Sequence, residues 1–127
     1  DGSIHLVEQY RYPVGGRFWE VPQGSWESNP EADPLTVAQG ELREETGHKA
    51  ETVDFVGKAW ILGCTYDHVF TCHNPQDIGK TDLDASEQGM THRWIDIAEW
   101  NQVILSGRTT FEAIGAWTMY RAWCAQR

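Results

Sequence analysis

The chain has 127 residues, 40% hydrophobic and 12% aromatic with seven Trp, enough to bury one core and too apolar for a disordered segment. Ten basic against 19 acidic residues give a net charge of −9, which excludes a general nucleic-acid partner because contacts to phosphates need a basic footprint. No apolar run approaches the ~18 residues of a membrane-spanning helix and no charged-then-apolar leader is visible, so a cytoplasmic protein with no membrane partner is expected. Cys64, Cys72 and Cys124 are odd in number and lack metal-ligand spacing, which predicts a reduced chain with buried thiols.

In chain order, Ile4 to Arg11 alternates as a strand does, and Tyr12 to Gly16 reads as a turn. Phe18 to Gly24 is a short strand running into a Pro and Gly turn, and Ser25 to Pro34 is a polar loop. A helix follows, with Asp33 as its cap, Pro34 in its first turn and Gly47 as a left-handed stop. Its Leu35, Ala38 and Leu42 form a narrow apolar stripe that can dock on a sheet. Ala50 to Leu62 and Tyr66 to His73 are strands rich in Val, Phe, Trp and Ile, joined by a turn at Gly63-Cys64-Thr65. Asn74 to Gly89 is a long polar loop, of a length often tied to function. Met90 to Ile95 is a strand, and Asp96 caps a helix to about Leu105 with Trp100, Val103 and Ile104 inward and Gly107 beyond it. Thr110 to Ala125 is a last helix whose Phe111, Ile114, Trp117 and Trp123 are core or interface. The order is mixed α/β.

Gly40-Glu41-Leu42-Arg43-Glu44-Glu45-Thr46-Gly47 carries most of the chemistry. Residues three and four apart share a helix face, so Glu41, Glu44 and Glu45 project together, at the end of the helix where the dipole is also negative. Such crowding is unfavourable unless a divalent cation sits among the carboxylates, since hard cations take oxygen ligands.

With Gly24 upstream, this segment resembles the signature of the Nudix hydrolase family. Gly24 matches its opening Gly, Glu41-Leu42 the Glu-aliphatic step, Glu44-Glu45 the acidic pair and Gly47 the closing Gly. Gly40 stands in place of the family Arg, Ala32 falls at the first motif Glu after a loop two residues longer than usual, and His48 replaces an aliphatic residue. Gln9-Tyr10-Arg11-Tyr12-Pro13 is similar to the Gln-x-Arg-x-Pro segment of the ADP-ribose pyrophosphatase and nucleotide-sugar hydrolase branch.

The resemblance implies a single domain over residues 1–127, an α/β/α sandwich with a mixed β-sheet. It also implies a Mg²⁺- or Mn²⁺-dependent hydrolase cleaving the pyrophosphate linkage of a nucleoside diphosphate derivative such as ADP-ribose. Glu41, Glu44, Glu45 and the backbone carbonyl of Gly24 would be metal ligands. The general base is left among Glu44, Glu45 and Glu87, the last in the long loop where the ADP-ribose branch carries a catalytic Glu. Arg11 and Arg17 are the substrate-contact expectations, an Arg being suited to bidentate phosphate recognition. Phe18, Trp19 and Trp26 could stack on a base. His68, His73 and His92 read as structural. The family commonly forms homodimers, so a homodimer is the expected assembly. The alternative, favoured by Gly40 and Ala32, is a weakened Nudix domain acting as a nucleotide-binding or regulatory module.

Overall fold

The computed structural model describes residues 2–25, 29–61 and 65–127. Trp26, Cys64 and the Gly63-Cys64 part of the expected turn lie outside the described residues. The elements are β1 (Ser3–Arg11), β2 (Gly16–Glu20), α1 (Pro34–Thr46), β3 (His48–Lys49), β4 (Thr52–Ile61), β5 (Thr65–His73), β6 (Gln76–Asp77), β7 (Thr91–Asp96), α2 (Ile97–Ser106) and α3 (Phe111–Ala125).

β1 is central in a sheet of order β2-β1-β7, while β4 pairs with β5 and β3 with β6. These pairs are antiparallel; a parallel bridge between Trp19 and Thr109 adds the mixed character at the outer edge of β2. There the Arg108 carbonyl accepts from the Trp19 N–H at 2.8 Å and the Thr109 hydroxyl donates to the Trp19 carbonyl at 2.6 Å. β2 ends at Glu20, not at Gly24, as expected where Pro22 has no N–H to continue a ladder.

Strand alternation assigns the two faces of the sheet. Ile4 and Leu6 of β1 and Ile95 of β7 share one face by register. Leu6 and Ile95 are buried there with Trp100 of α2 and Ala113 of α3, flanked by Trp19, Val21, Val103, Ile104 and Trp117. On the other face, His5, Val7 and Arg11 of β1 line up with Glu20 of β2 and with His92 and Trp94 of β7.

The 74–89 segment is less irregular than expected. It contains β6, paired to β3, and a 3₁₀ turn at Ala85–Glu87. Asp84 and Glu87 form a capping box there, the pattern in which each side chain bonds the other's backbone N–H. In α3, Phe111 is 89% exposed and therefore not core. Cys72 and Cys124 are free and exposed, which corrects the expectation of buried thiols; both lie near the ends of elements that solvent reaches.

Candidate functional site

α1 is held at both ends as its sequence requires. The Asp33 carboxylate accepts from the Thr36 N–H at 3.3 Å, and Gly47 takes φ 68° while its N–H reaches the Arg43 carbonyl at 2.9 Å. The helix thereby places Glu41 and Glu45 one turn apart on a buried face, with only 7% and 3% of each exposed.

Two loops close over that face. The segment after β2 brings the Gln23 N–H to 3.2 Å from Glu45 Oε1. It also lays Gly24 against Glu41 so closely that any Cβ at position 24 would run into the Glu41 carboxylate. A larger residue there fits only if the Glu41 carboxylate moves aside. From the other side, the 78–89 segment is fastened to the end of α1: the Ile78 N–H donates to the Gly47 carbonyl at 2.9 Å, and the Asp82 N–H to the Glu44 carbonyl at 2.7 Å. The 3₁₀ turn then delivers Glu87, whose Oε1 accepts from the Asp84 N–H at 3.1 Å.

Carboxylate oxygens of Glu41, Glu45 and Glu87 lie within 4.8 Å of one another. Burial pushes the Glu45 carboxyl up to about 9, helped by a hydrogen bond with Glu87 and the charges of Glu41 and Glu87, against the opposing Gln23 N–H. Three acids in this space cannot all ionise without a counter-charge. A divalent cation supplies one, and an all-oxygen set suits a hard ion, so these residues fit a metal of the Mg²⁺ class.

Glu44 projects differently. It is half-buried outside that trio, and its carboxyl is also raised, first by burial and then by Asp82, Glu87 and Asp84, with Arg43 opposing. Of the sequence-derived site residues, Gly24, Glu41, Glu45 and Glu87 are thus brought together, and Glu44 borders them.

The two arginines part company. Arg11 makes a two-pronged pair with Glu20, Nε to Oε2 at 2.7 Å and Nη2 to Oε1 at 2.6 Å. Arg17 is turned to the opposite face of β2, where it binds Glu8 Oε1 at 3.1 Å, the Glu8 carbonyl at 3.2 Å and the Gly89 carbonyl at 3.1 Å. It anchors the far end of the loop that carries Glu87.

Glu20, only 1% exposed, was missed from sequence. Its signal was a lone acid within an apolar strand, at a β2 position on the same side of the hairpin as Arg11. The capping pattern Asp84-x-x-Glu87 was likewise readable and marks the turn that orients Glu87.

His73 and His92 have partners outside the carboxylate trio. His73 Nε2 contacts Asp54 Oδ2 at 2.8 Å, and His92 Nδ1 contacts His5 Nε2 at 3.0 Å. A cavity of about 870 Å³ lies under the apolar stripe of α1, bounded by Val37 and Leu42, by Phe70 of β5 and by Trp117 of α3, and reaches Gly24.

A helix presenting buried carboxylates to a glycine loop, beside a three-stranded antiparallel sheet, is an oxygen-rich arrangement able to hold a divalent cation. The sequence agrees: residues 1–112 match the NUDIX domain family, and the chain belongs to that family, whose hydrolases use divalent metal ions. It is 33% identical over 110 residues to an ADP-ribose pyrophosphatase of Mycobacterium tuberculosis, covering 84% of this chain and 53% of the relative. It is 38% identical over 56 residues to a methanol dehydrogenase activator of Bacillus methanolicus, covering 44% of this chain and 29% of the relative. The chain thus spans about half or less of the length of these curated relatives. The solved structure of an ADP compounds hydrolase superimposes on 99% of this chain and 68% of its own, with a TM-score of 0.80 at 15% identity, which shows a shared fold. No helix among the described residues is long and apolar enough to cross a membrane.

Proposed function

We propose that this chain is a pyrophosphohydrolase acting on ADP-ribose or a related nucleotide sugar, with Mg²⁺ or Mn²⁺ bound by Glu41, Glu45 and the Gly24 carbonyl, Glu44 and Glu87 adjoining. The observation that carries this reading is the trio of buried Glu41 and Glu45 with half-buried Glu87, their carboxylate oxygens within 4.8 Å of one another. Bound there, the cation supplies the positive charge that lets a pyrophosphate approach acidic side chains and makes water more acidic. In the overall step a water oxygen forms a bond to phosphorus, the bridging P–O bond breaks, and the water proton leaves to a carboxylate. Glu44, Glu45 and Glu87 are our candidates to take it. With ADP-ribose the products are AMP and ribose 5-phosphate.

Arg11 is our first candidate for the phosphate contact, because Glu20 engages it through Nε and Nη2 and a guanidinium carries five N–H donors. Arg17 is our second, although three bonds already hold it on the other face. We treat residues 1–127 as one unit, with no nucleic-acid partner for so acidic a chain. A cytoplasmic location fits the free thiols of Cys72 and Cys124. A homodimer is favoured by the exposed Phe55, Trp60, Tyr66 and Phe111 on β4, β5 and α3, an apolar surface of the kind that marks partner contacts.

The deciding experiment incubates the protein with ADP-ribose and Mg²⁺ or Mn²⁺ and follows AMP release, with NADH, sugar nucleotides and nucleoside triphosphates alongside. Metal-dependent AMP release is expected. Metal binding without hydrolysis of any of these would instead favour the nucleotide-binding module.

A further inference from the structure

Glu45 is the most deeply buried member of the carboxylate trio, and something must aim it. Among the described residues its backbone donor is the Gln23 N–H, at 3.2 Å. Gln23 is not itself held by a strand, since β2 ends at Glu20. Its side chain reaches back instead: Nε2 donates to Glu20 Oε1 at 3.3 Å. Glu20 is in turn fixed by Arg11, whose Nε and Nη2 grip both of its oxygens. Arg11 and Glu20 come from the two strands of one hairpin and face the same side of it.

We infer that Glu20 is a positioning residue for this site: locked by Arg11, it steadies Gln23, whose backbone N–H fixes the rotamer of Glu45 toward Glu41 and Glu87. The inference rests on the proposed metal-dependent reading of the trio. It gives a burial reason for Glu20 that the reaction does not need directly. A carboxylate with 1% exposure costs stability unless its oxygens are satisfied by charge and hydrogen bonds, and here both are supplied by residues that lead to the site. It also accounts for the segment from Val21 to Gly24 holding its course without strand pairing. The positions that match the family Arg and first motif Glu are Gly40 in α1 and Ala32 in the loop before it, neither of which can donate or accept through a side chain. The hairpin pair is thus an arrangement by which this chain orients Glu45 from outside the helix.

The test is a double-mutant cycle on metal binding, read by titrating the intact protein with Mn²⁺ alone. Glu20→Gln keeps the shape but loses the charge that grips Arg11. Gln23→Ala cuts the link while leaving Glu20 and Arg11 paired, and the exposure of Gln23 makes it a mild change. Ligand-orienting partners are worth about 10- to 100-fold in metal affinity or activity. Glu20→Gln is expected to weaken Mn²⁺ binding about 10-fold, Gln23→Ala by a smaller factor, and the double variant no more than Glu20→Gln alone, because both act through one chain of contacts. On ADP-ribose the loss in Gln23→Ala, which leaves the Arg11–Glu20 pair intact, should fall in kcat with KM little changed. Mn²⁺ affinity within twofold of wild type in both single variants, or effects that simply multiply in the double variant, would overturn the inference. If Glu20→Gln does not fold, Gln23→Ala alone decides by the same affinity criterion. A wild-type protein that bound no Mn²⁺ would count against the proposed function itself, and so the two failures are distinct.

Discussion

Glu45 combines three properties that seldom meet in one side chain: near-complete burial, a hydrogen bond to another acid, and a donor on its backbone side. Its raised carboxyl favours the protonated form in the metal-free protein at neutral pH, so a cation bound as proposed would have to displace that proton. Glu45→Gln should therefore keep or raise the stability of the metal-free protein while lowering kcat by about 100-fold or more, checked by thermal melts with chelator and by AMP release; unaltered turnover would remove Glu45 from the site. Gly24 makes the complementary point. Gly24→Ala puts a methyl group where the Glu41 carboxylate stands, so Glu41 must swing away. Activity should fall at least about 10-fold, a misplacement effect of the kind expected when a reacting group shifts by an ångström, while far-ultraviolet circular dichroism stays that of the wild type.

The elements matter chiefly through how their ends are tied. Gly47 closes α1 in the left-handed region, and a Cβ there would stand 2.9 Å from the Gly79 carbonyl oxygen. Gly47→Ala therefore adds backbone strain of about 1–2 kcal/mol and pushes on the segment that leads to Glu87. A melting temperature lower by several degrees together with reduced kcat is expected; a stability loss with unchanged turnover would show that the 78–89 segment is positioned independently of α1. Both ends of α1 were legible because capping chemistry is local: Asp33, Pro34 and Gly47 are read within a few residues. The acidic face was legible for the same reason, as helical spacing alone puts Glu41 beside Glu45. What stayed hidden depended on contacts between distant elements. Glu20 gains its role only when the β1–β2 hairpin puts Arg11 on its face of the sheet, and alternation turns Arg17 to the other face. The loop carrying Glu87 was readable as a loop but not as a tethered one, because its anchors are backbone groups of Gly47 and Glu44 that carry no side-chain signal.

At the scale of the molecule, two titratable centres, half-buried His5 and buried Glu45, oppose each other across pH. His5 packs against the rings of His48, His92 and Trp94. Desolvation, then the charges of His48 and His92, lower it from 6.5 to about 4, with Asp77 the one group pulling upward. A base depressed on folding contributes stability that is present above its ordinary value and is lost as pH falls from 6.5 toward 4. Glu45 has the opposite sign. An acid raised on folding contributes stability that is complete below 4.5 and is lost as pH climbs through about 9. Between the two ordinary values the slopes from these groups cancel, so the metal-free protein should show its broadest stability from about 4.5 to 6.5, with losses on both flanks. On the proposed metal site, a cation would act on one flank only, replacing the proton on Glu45 and leaving the histidines untouched. Thermal melts across pH are expected to show Mn²⁺ adding more stability at pH ~8 than at pH ~6, with the acid flank unmoved. His48→Leu should flatten that acid flank by removing the neighbour whose charge weighs most on His5, without changing the response to metal. Acid and alkaline flanks that respond equally to Mn²⁺ would separate Glu45 from the metal, and an acid flank indifferent to His48 would mean that the three-histidine contact between β1, β3 and β7 does not govern it.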